Sequence, residues 1–217
     1  MSPLRKARPD DGPEDRPDAS PGPGEPDGRP LDAVLAELTG DDPELRRRAV
    51  LLLADRPGAL PALIARVGVE PDRTVLEALC TQLARHDRPE VVDGLVRHLA
   101  SDDAGLRTVV VDVLARTPTA TARRIPQLMA DPDPDVRILT VMMLGQLRLA
   151  EVEGWLAELV RTDPHPNVVS AAIGELALLA GERSEADLDA ARARFPADPF
   201  IAFAVTRALA AADRGRP

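Results

Sequence analysis

The side chains that most often carry chemistry are sparse in this chain of 217 residues, which has one cysteine. Cys80 occupies a sequence position at which five other stretches of the chain carry valine, isoleucine or threonine, and this predicts a buried side chain. A thiol in apolar surroundings has a raised pKa and is a poor nucleophile. We therefore predict a core position for Cys80 and no catalytic or chromophore-linking role.

The other candidates for catalysis or metal binding are equally isolated. His86, His98 and His165 lie in different parts of the chain, and none pairs with another at the spacing of ligands on one helix. The chain lacks the glycine-rich phosphate loop, the dinucleotide-binding fingerprint and the nucleophile elbow. We predict no catalytic residue, no metal and no cofactor, and thus a protein that is not an enzyme.

Composition narrows the possible partners. The formal net charge is −9, aromatic residues make up 2% of the chain and tyrosine is absent, which argues against a nucleic-acid surface that needs positive charge and stacking rings. The arginine clusters 46–48 and 123–124 could still contact phosphate or an acidic peptide. A lone cysteine, no apolar leader and no apolar run of membrane-spanning length favour a cytoplasmic protein that does not enter a membrane.

The elements that hold these residues are repeats of about 30 residues. Each repeat has an apolar residue that we call the anchor, or position 0, and leucine follows at position 8 in all six repeats. A small residue, alanine or glycine, follows at position 9. The anchors are Leu45, Val75, Leu106, Val136, Val168 and Ile201.

Each repeat also carries a helix-start signal. Three residues before the anchor, five of the six repeats have aspartate and the fifth repeat has His165, followed in four repeats by proline. Aspartate at an N-cap accepts a backbone N–H, and proline suits the first helical turn. The predicted capping aspartates are Asp42, Asp72, Asp103, Asp133 and Asp198.

A second apolar segment with helical periodicity precedes each of these helices, and no strand pattern is present. A helical hairpin cannot bury its apolar stripe alone, whereas stacked hairpins form a continuous core. The sequence therefore predicts an all-α solenoid of about six helical hairpins over residues 31–213. Residues 1–30, rich in proline, glycine and charge, are predicted to be a disordered tail, and residues 214–217 a disordered end.

The segment Asp133-Pro-Asp-Val-Arg137, with Val141, Leu144 and Gly145 after it, resembles the short bacterial HEAT-like repeat, including the version in phycobilisome lyases. Asp42-Pro-Glu-Leu-Arg46 and Asp103-Ala-Gly-Leu-Arg107 share the pattern. In that family, the aspartate and arginine at the start of the second helix commonly tie adjacent repeats together. The resemblance thus implies a structural role for Arg46, Arg107 and Arg137, and the spacing of Asp133 and Arg137 suits such a ladder.

The second helix of each hairpin is the natural contact element, because these helices generally line the concave side of a solenoid. Positions 0, 4 and 8 define the expected core side, and positions 2, 6 and 10 point away from it. That outward stripe is polar in the first three repeats and becomes apolar or small in the last three. The predicted partner-binding residues are Ile138, Met142, Leu178 and Phe203, with Arg116, Gln146 and Arg207 at the rim. Alternatively, curvature or a terminal helix covers the stripe.

The leading hypothesis is a non-catalytic scaffold or regulatory adaptor that binds a protein partner. A chromophore-handling or maturation factor similar to phycobilisome lyases is an alternative, which a visible absorbance band would favour. A HEAT-like nucleic-acid-binding protein is a second alternative, which binding to DNA at low salt would favour. The apolar C-terminal repeat, with Phe200, Ile201 and Phe203, also predicts possible self-association, which a concentration-independent monomer in sedimentation would exclude.

Overall fold

A computed structural model of the chain describes residues 28–179 and 185–214, and within these ranges it contains thirteen α-helices, one 3-10 helix and no strand. The predicted all-α solenoid is confirmed. Most of the predicted tail and residues 215–217 lie outside the described residues. Arg29, which was assigned to the tail, is described and forms an ion pair with Glu37 of the first helix.

The helices form six successive units. Their bounds are α1 (Leu31–Leu38) and α2 (Pro43–Leu53) in unit one; α3 (Leu60–Val67) and α4 (Arg73–Leu83) in unit two; α5 (Pro89–Leu95), a 3-10 helix (Val96–Ala100) and α6 (Ala104–Ala115) in unit three; α7 (Pro118–Ala122), α8 (Ile125–Met129) and α9 (Pro134–Leu144) in unit four; α10 (Val152–Thr162) and α11 (Pro166–Leu176) in unit five; and α12 (Glu185–Arg194) and α13 (Pro199–Arg214) in unit six.

The second helices form one layer, in which each packs against the next from α2 through α4, α6, α9 and α11 to α13. The first helices form the other layer, in which α3 contacts α5, α5 contacts α7, and α10 contacts α12. Side chains at positions 4 and 8 of the second helices fill the space between the layers, and those of Leu79, Leu114 and Leu144 are fully buried.

The second helices are also buried on the two sides that face their neighbours. Position 0 is buried in units two to six, but Leu45 in unit one is 41% exposed. Positions 1 and 5 show the opposite end effect, because Ala202 and Thr206 of the last unit are exposed. Position 0 therefore faces the preceding unit, and positions 1 and 5 face the following unit. The expectation of a core position for Leu45 is wrong, because no described unit precedes it.

Each second helix begins at a capping side chain. The Asp72 carboxylate accepts the backbone N–H groups of Thr74 and Val75, at 2.9 and 3.1 Å. In unit five, the His165 ring takes the same place and accepts the N–H of Asn167 at 3.3 Å. The same type of cap is formed by Asp42, Asp103, Asp133 and Asp198.

Buried ion pairs tie two pairs of units together through position 1. The Arg46 guanidinium donates to both carboxylate oxygens of Glu70 in the next unit, at 3.0 and 2.8 Å. Arg137 forms the matching pair with Asp163, at 2.7 and 3.1 Å. Arg137 therefore pairs across the unit boundary rather than with Asp133, which caps its own helix. Arg107 at the same position donates to the Ser101 carbonyl.

Glu70 is held as a carboxylate despite its burial. Burial alone would raise the pKa of Glu70, but hydrogen bonds from Arg46, the Asp72 N–H and Arg66 outweigh this effect and hold it below its ordinary value. A carboxyl whose pKa is depressed by folding stabilises the native state near neutral pH, and the contribution is lost as the pH falls through its folded-state pKa.

The first helix of unit four is divided into two short helices, α7 and α8, where the sequence predicts one apolar segment. Pro126, the second residue of α8, has no N–H to donate to the preceding turn, so it fits a helix start but not a helix interior. The break leaves little contact between α8 and α10 in the first-helix layer.

We predict that Glu70→Gln lowers the free energy of unfolding at pH 7 by about 3 kcal/mol, because it leaves Arg46 buried without its counterion. The loss shrinks as the pH is lowered, since the wild-type pair is then also lost. Chemical denaturation between pH 3 and 7 measures both effects. Glu77→Gln is the matched control, because Glu77 forms an exposed pair with Arg73 at 3.3 Å, and should cost less than about 1 kcal/mol. Equal losses for the two variants would contradict the role of the buried pair.

Candidate interaction surface

The predicted partner-binding residues differ in exposure. Met142 is 49% exposed, Phe203 62% and Leu178 79%. Ile138 is half-buried and packs against the core. Apolar side chains thus stand on the outward face of the last three units, and in the described residues no terminal helix covers them as the alternative expectation proposed.

The same face is polar in the first three units, apart from Leu51. Arg85 of unit two pairs with Asp55 of unit one at 3.1 Å, and Arg116 of unit three pairs with Asp112 on its own helix at 3.4 Å. The first pair joins two neighbouring helices and the second lies along one helix, so these exposed charges are neutralised by one another. The change from polar to apolar surface therefore falls between α6 and α9.

Two outward positions of α11 carry small side chains, Ser170 and Gly174. A Cβ atom added at Gly174 would have no atom within 4 Å, so the space above it is open. Because α9 and α13 both pack against α11, and the repeat aligns their equivalent positions, we infer that larger side chains stand on either side of this low strip. We call this feature the α11 groove; its floor is Ser170 and Gly174, and its walls are Ile138, Met142, Phe203 and Arg207.

The two walls have different chemistry. The α9 wall is apolar, with Met142 at the repeat position equivalent to Gly174, and a thioether side chain adapts to irregular apolar partners. On the α13 wall, the Arg207 guanidinium lies over the Phe203 ring, 5.9 Å from its centroid. The groove therefore offers apolar surface on one side, and a ring with an adjoining positive charge on the other.

Not all the predicted residues belong to this groove. Leu178 lies two residues beyond the end of α11, whereas Phe203 lies in the first turns of α13. These levels differ by eight residues, or about 12 Å along the helix axis, so Leu178 and Phe203 do not form one patch. Gln146 donates to the Met142 carbonyl at 3.4 Å, near the same end as Leu178. The sequence places small residues on the outward stripe of the last three repeats, but only the structure shows that Ser170 and Gly174 lie between helices with larger outward side chains.

Cys80 is buried at position 5 of α4, on the side that faces unit three. Burial, with the negative charges of Asp112 and Glu77, raises the pKa of its thiol to about 12. The thiol therefore stays protonated at physiological pH. Within residues 28–179 and 185–214, no three histidine, cysteine, aspartate or glutamate side chains are grouped to hold a metal ion.

The repeats match a family model described as HEAT repeats over residues 31–115 and 121–210. The chain belongs to the HEAT repeat family. This assignment agrees with the resemblance read from Asp133-Pro-Asp-Val-Arg137 and accounts for the stacked helical hairpins. A search of curated proteins found no match.

Three of the solved structures similar to this HEAT repeat chain have low sequence identity to it. Two are crystal structures of engineered proteins. The first is 17% identical, and the match covers 85% of this chain and 97% of that protein with a TM-score of 0.39. The second is 18% identical, and the match covers 86% of this chain and 99% of that protein with a TM-score of 0.41. A third is the CpcE–CpcF complex of phycocyanin lyase from Nostoc sp. PCC7120, at 15% identity, 99% and 100% coverage and a TM-score of 0.36. No helix in the described part of the chain is both long and apolar enough to span a bilayer.

We predict that Cys80 in the native protein reacts with iodoacetamide at pH 8 at a rate limited by unfolding, because the thiol is buried and protonated. Mass spectrometry after timed alkylation measures the rate, and denatured protein gives the reference. Alkylation of the native protein as fast as the denatured protein would contradict the buried, protonated state of Cys80.

Proposed function

We propose that this HEAT repeat protein is a non-catalytic scaffold or regulatory adaptor that binds a protein partner in the α11 groove. The observation that supports the proposal is the low strip formed by half-buried Ser170 and exposed Gly174 between the larger apolar side chains of α9 and α13. Apolar side chains gathered on an exposed face are typical of docking surfaces.

The chemistry of the groove favours an apolar segment of a protein. An amphipathic helix can lay its apolar side chains on Met142 and Phe203, and the low floor lets its backbone approach α11. Arg207 at the rim favours an acidic residue next to the apolar ones. The α13 wall belongs to the C-terminal repeat, for which the sequence also predicts self-association. Sedimentation tests that prediction separately.

We expect Met142→Glu and Phe203→Glu each to weaken partner binding at least tenfold, because a buried carboxylate would have to be desolvated in the complex. Binding is measured by affinity capture of the partner from the native host and then with the purified pair. Leu51→Glu is the matched control, since Leu51 stands at position 6 of unit one with the same 49% exposure as Met142. All three variants should keep the wild-type melting temperature.

A loss of binding in Leu51→Glu equal to that in Met142→Glu would contradict the proposed location. A collapsed melting temperature in Met142→Glu or Phe203→Glu would show that these side chains belong to the core and would also contradict the proposal.

A second test uses a variant that fills the groove without adding negative charge, together with a control variant that does not fill it. Gly174→Arg and Gly174→Ala should each stabilise the protein by about 0.5–1 kcal/mol, since glycine is unfavourable in a helix and the added atoms enter open space. Only the arginine is long enough to block the floor, so Gly174→Arg should lose partner binding while Gly174→Ala retains it. Binding by Gly174→Arg at wild-type affinity would contradict the groove.

A further inference from the structure

A cavity of about 410 Å³ opens in the first-helix layer where unit four meets unit five. It follows from the division of the first helix of unit four, because α8 is too short to fill the space beside α10. Its walls include Pro126 and Met129 of α8 and Trp155 and Glu158 of α10. The volume lies in the range of small-ligand pockets. Apart from Arg137 of α9, the lining comes from α8, α10 and the loops that follow them, and none of it belongs to the α11 groove, so the cavity is a separate site.

The positive charge that lines this cavity is already engaged. Arg137 donates from Nε and Nη2 to the two oxygens of Asp163, and from Nη1 to the Asp131 carbonyl at 2.7 Å. Its guanidinium is almost completely buried. Arg137 therefore braces the cavity floor and does not offer a free fork to an anion.

The carboxylate and hydroxyl groups that remain available in the cavity are acceptors. The Glu158 side chain is exposed and has no ion pair within the described residues. Asp131 also lacks an ion pair there, and one of its carboxylate oxygens accepts the Asp133 N–H at 2.9 Å. The Thr162 hydroxyl donates to the Glu158 carbonyl at 2.8 Å, which leaves its oxygen to accept a further bond.

Charge and aromatic surface in the cavity favour the same type of ligand. Asp131, Glu158 and Asp163 outnumber Arg137, so the lining carries an excess of negative charge. Trp155, half-buried in the wall, is the chain's one tryptophan. An indole ring attracts a cation to its face, and guanidinium groups both stack on such rings and donate to carboxylates.

We propose that this cavity binds an arginine side chain of a basic peptide segment, with the guanidinium against the Trp155 ring and its N–H groups donating to Glu158 and Asp131. The proposal goes beyond the α11 groove, because it assigns a second binding site to a different part of the surface. The groove favours an acidic residue beside Arg207, whereas this cavity favours a basic one. A partner that carries both an apolar helix and a basic segment could engage both layers.

Intrinsic fluorescence tests the site directly, because Trp155 is the single tryptophan and the chain has no tyrosine. The probe is tetra-arginine with acetylated and amidated ends, titrated into the full chain at low salt. We expect a saturable change in emission that weakens as salt is added. The same peptide with citrulline in place of arginine, which is neutral, should produce no saturable change.

Variants separate this cavity from general attraction to an acidic protein. Glu158→Gln and Asp131→Asn should each weaken tetra-arginine binding about five- to tenfold, since each removes a charged acceptor. Glu153→Gln is the matched control, because Glu153 is exposed on the same helix and does not line the cavity. It should bind as the wild type does.

Calorimetry extends the test to Trp155→Leu, which has no fluorescence to follow. We expect Trp155→Leu to weaken tetra-arginine binding at least fivefold, whereas Met142→Glu leaves it unchanged. The two variants therefore distinguish failure of this site from failure of the α11 groove. Equal weakening by Glu153→Gln and Glu158→Gln, saturable binding of the citrulline peptide, or wild-type affinity in Trp155→Leu would overturn the proposal.

Discussion

The structure depends on a burial constraint within each second helix. These helices carry apolar side chains toward the first-helix layer and also on the two sides that face their neighbours, so a single hairpin leaves both sides in water. The ends show this constraint most clearly. Leu45 is 41% exposed at the first unit, whereas its equivalents are buried, and at the last unit the position facing onward carries the polar Thr206 rather than valine or isoleucine. On the second helices, the outward positions 2, 6 and 10 are left for contact with other molecules.

Position 1 is filled in more than one way, and the buried ion pairs are one of them. Units two and five place Leu76 and Val169 there, and both are buried. Units one and four use Arg46 and Arg137, and the following unit supplies the carboxylate. An apolar side chain could replace such a pair without a large loss of stability, but removal of one partner leaves an uncompensated charge. We therefore interpret the pairs as devices that set how neighbouring units meet, with a stability cost when they are broken.

Much of the fold could be predicted from the sequence, because the repeat imposes the same burial pattern and the same cap on six helices. The features that could not be predicted all depend on what lies next to a residue in space. Leu45 has the type of a core residue but has no described unit before it. Arg137 has Asp133 at a suitable spacing, yet a carboxylate 26 residues away binds it. Leu178 continues the outward stripe but lies past the end of its helix. The floor at Gly174 exists because the helices on either side of α11 carry larger side chains. The cavity beside Trp155 exists because α8 is shorter than α10.

The central claim is that a bound protein occupies the α11 groove. The photoreactive amino acid p-benzoylphenylalanine in place of Phe203, irradiated in cells that make the natural partner, tests this claim most directly, because Phe203 is an exposed wall residue that already carries a phenyl ring. The same amino acid in place of Leu51, an exposed apolar residue on the outward face of unit one, provides the reference. We predict a discrete crosslinked protein from position 203 and none from position 51. Crosslinks of equal yield from both positions, or from position 51 alone, would contradict the account.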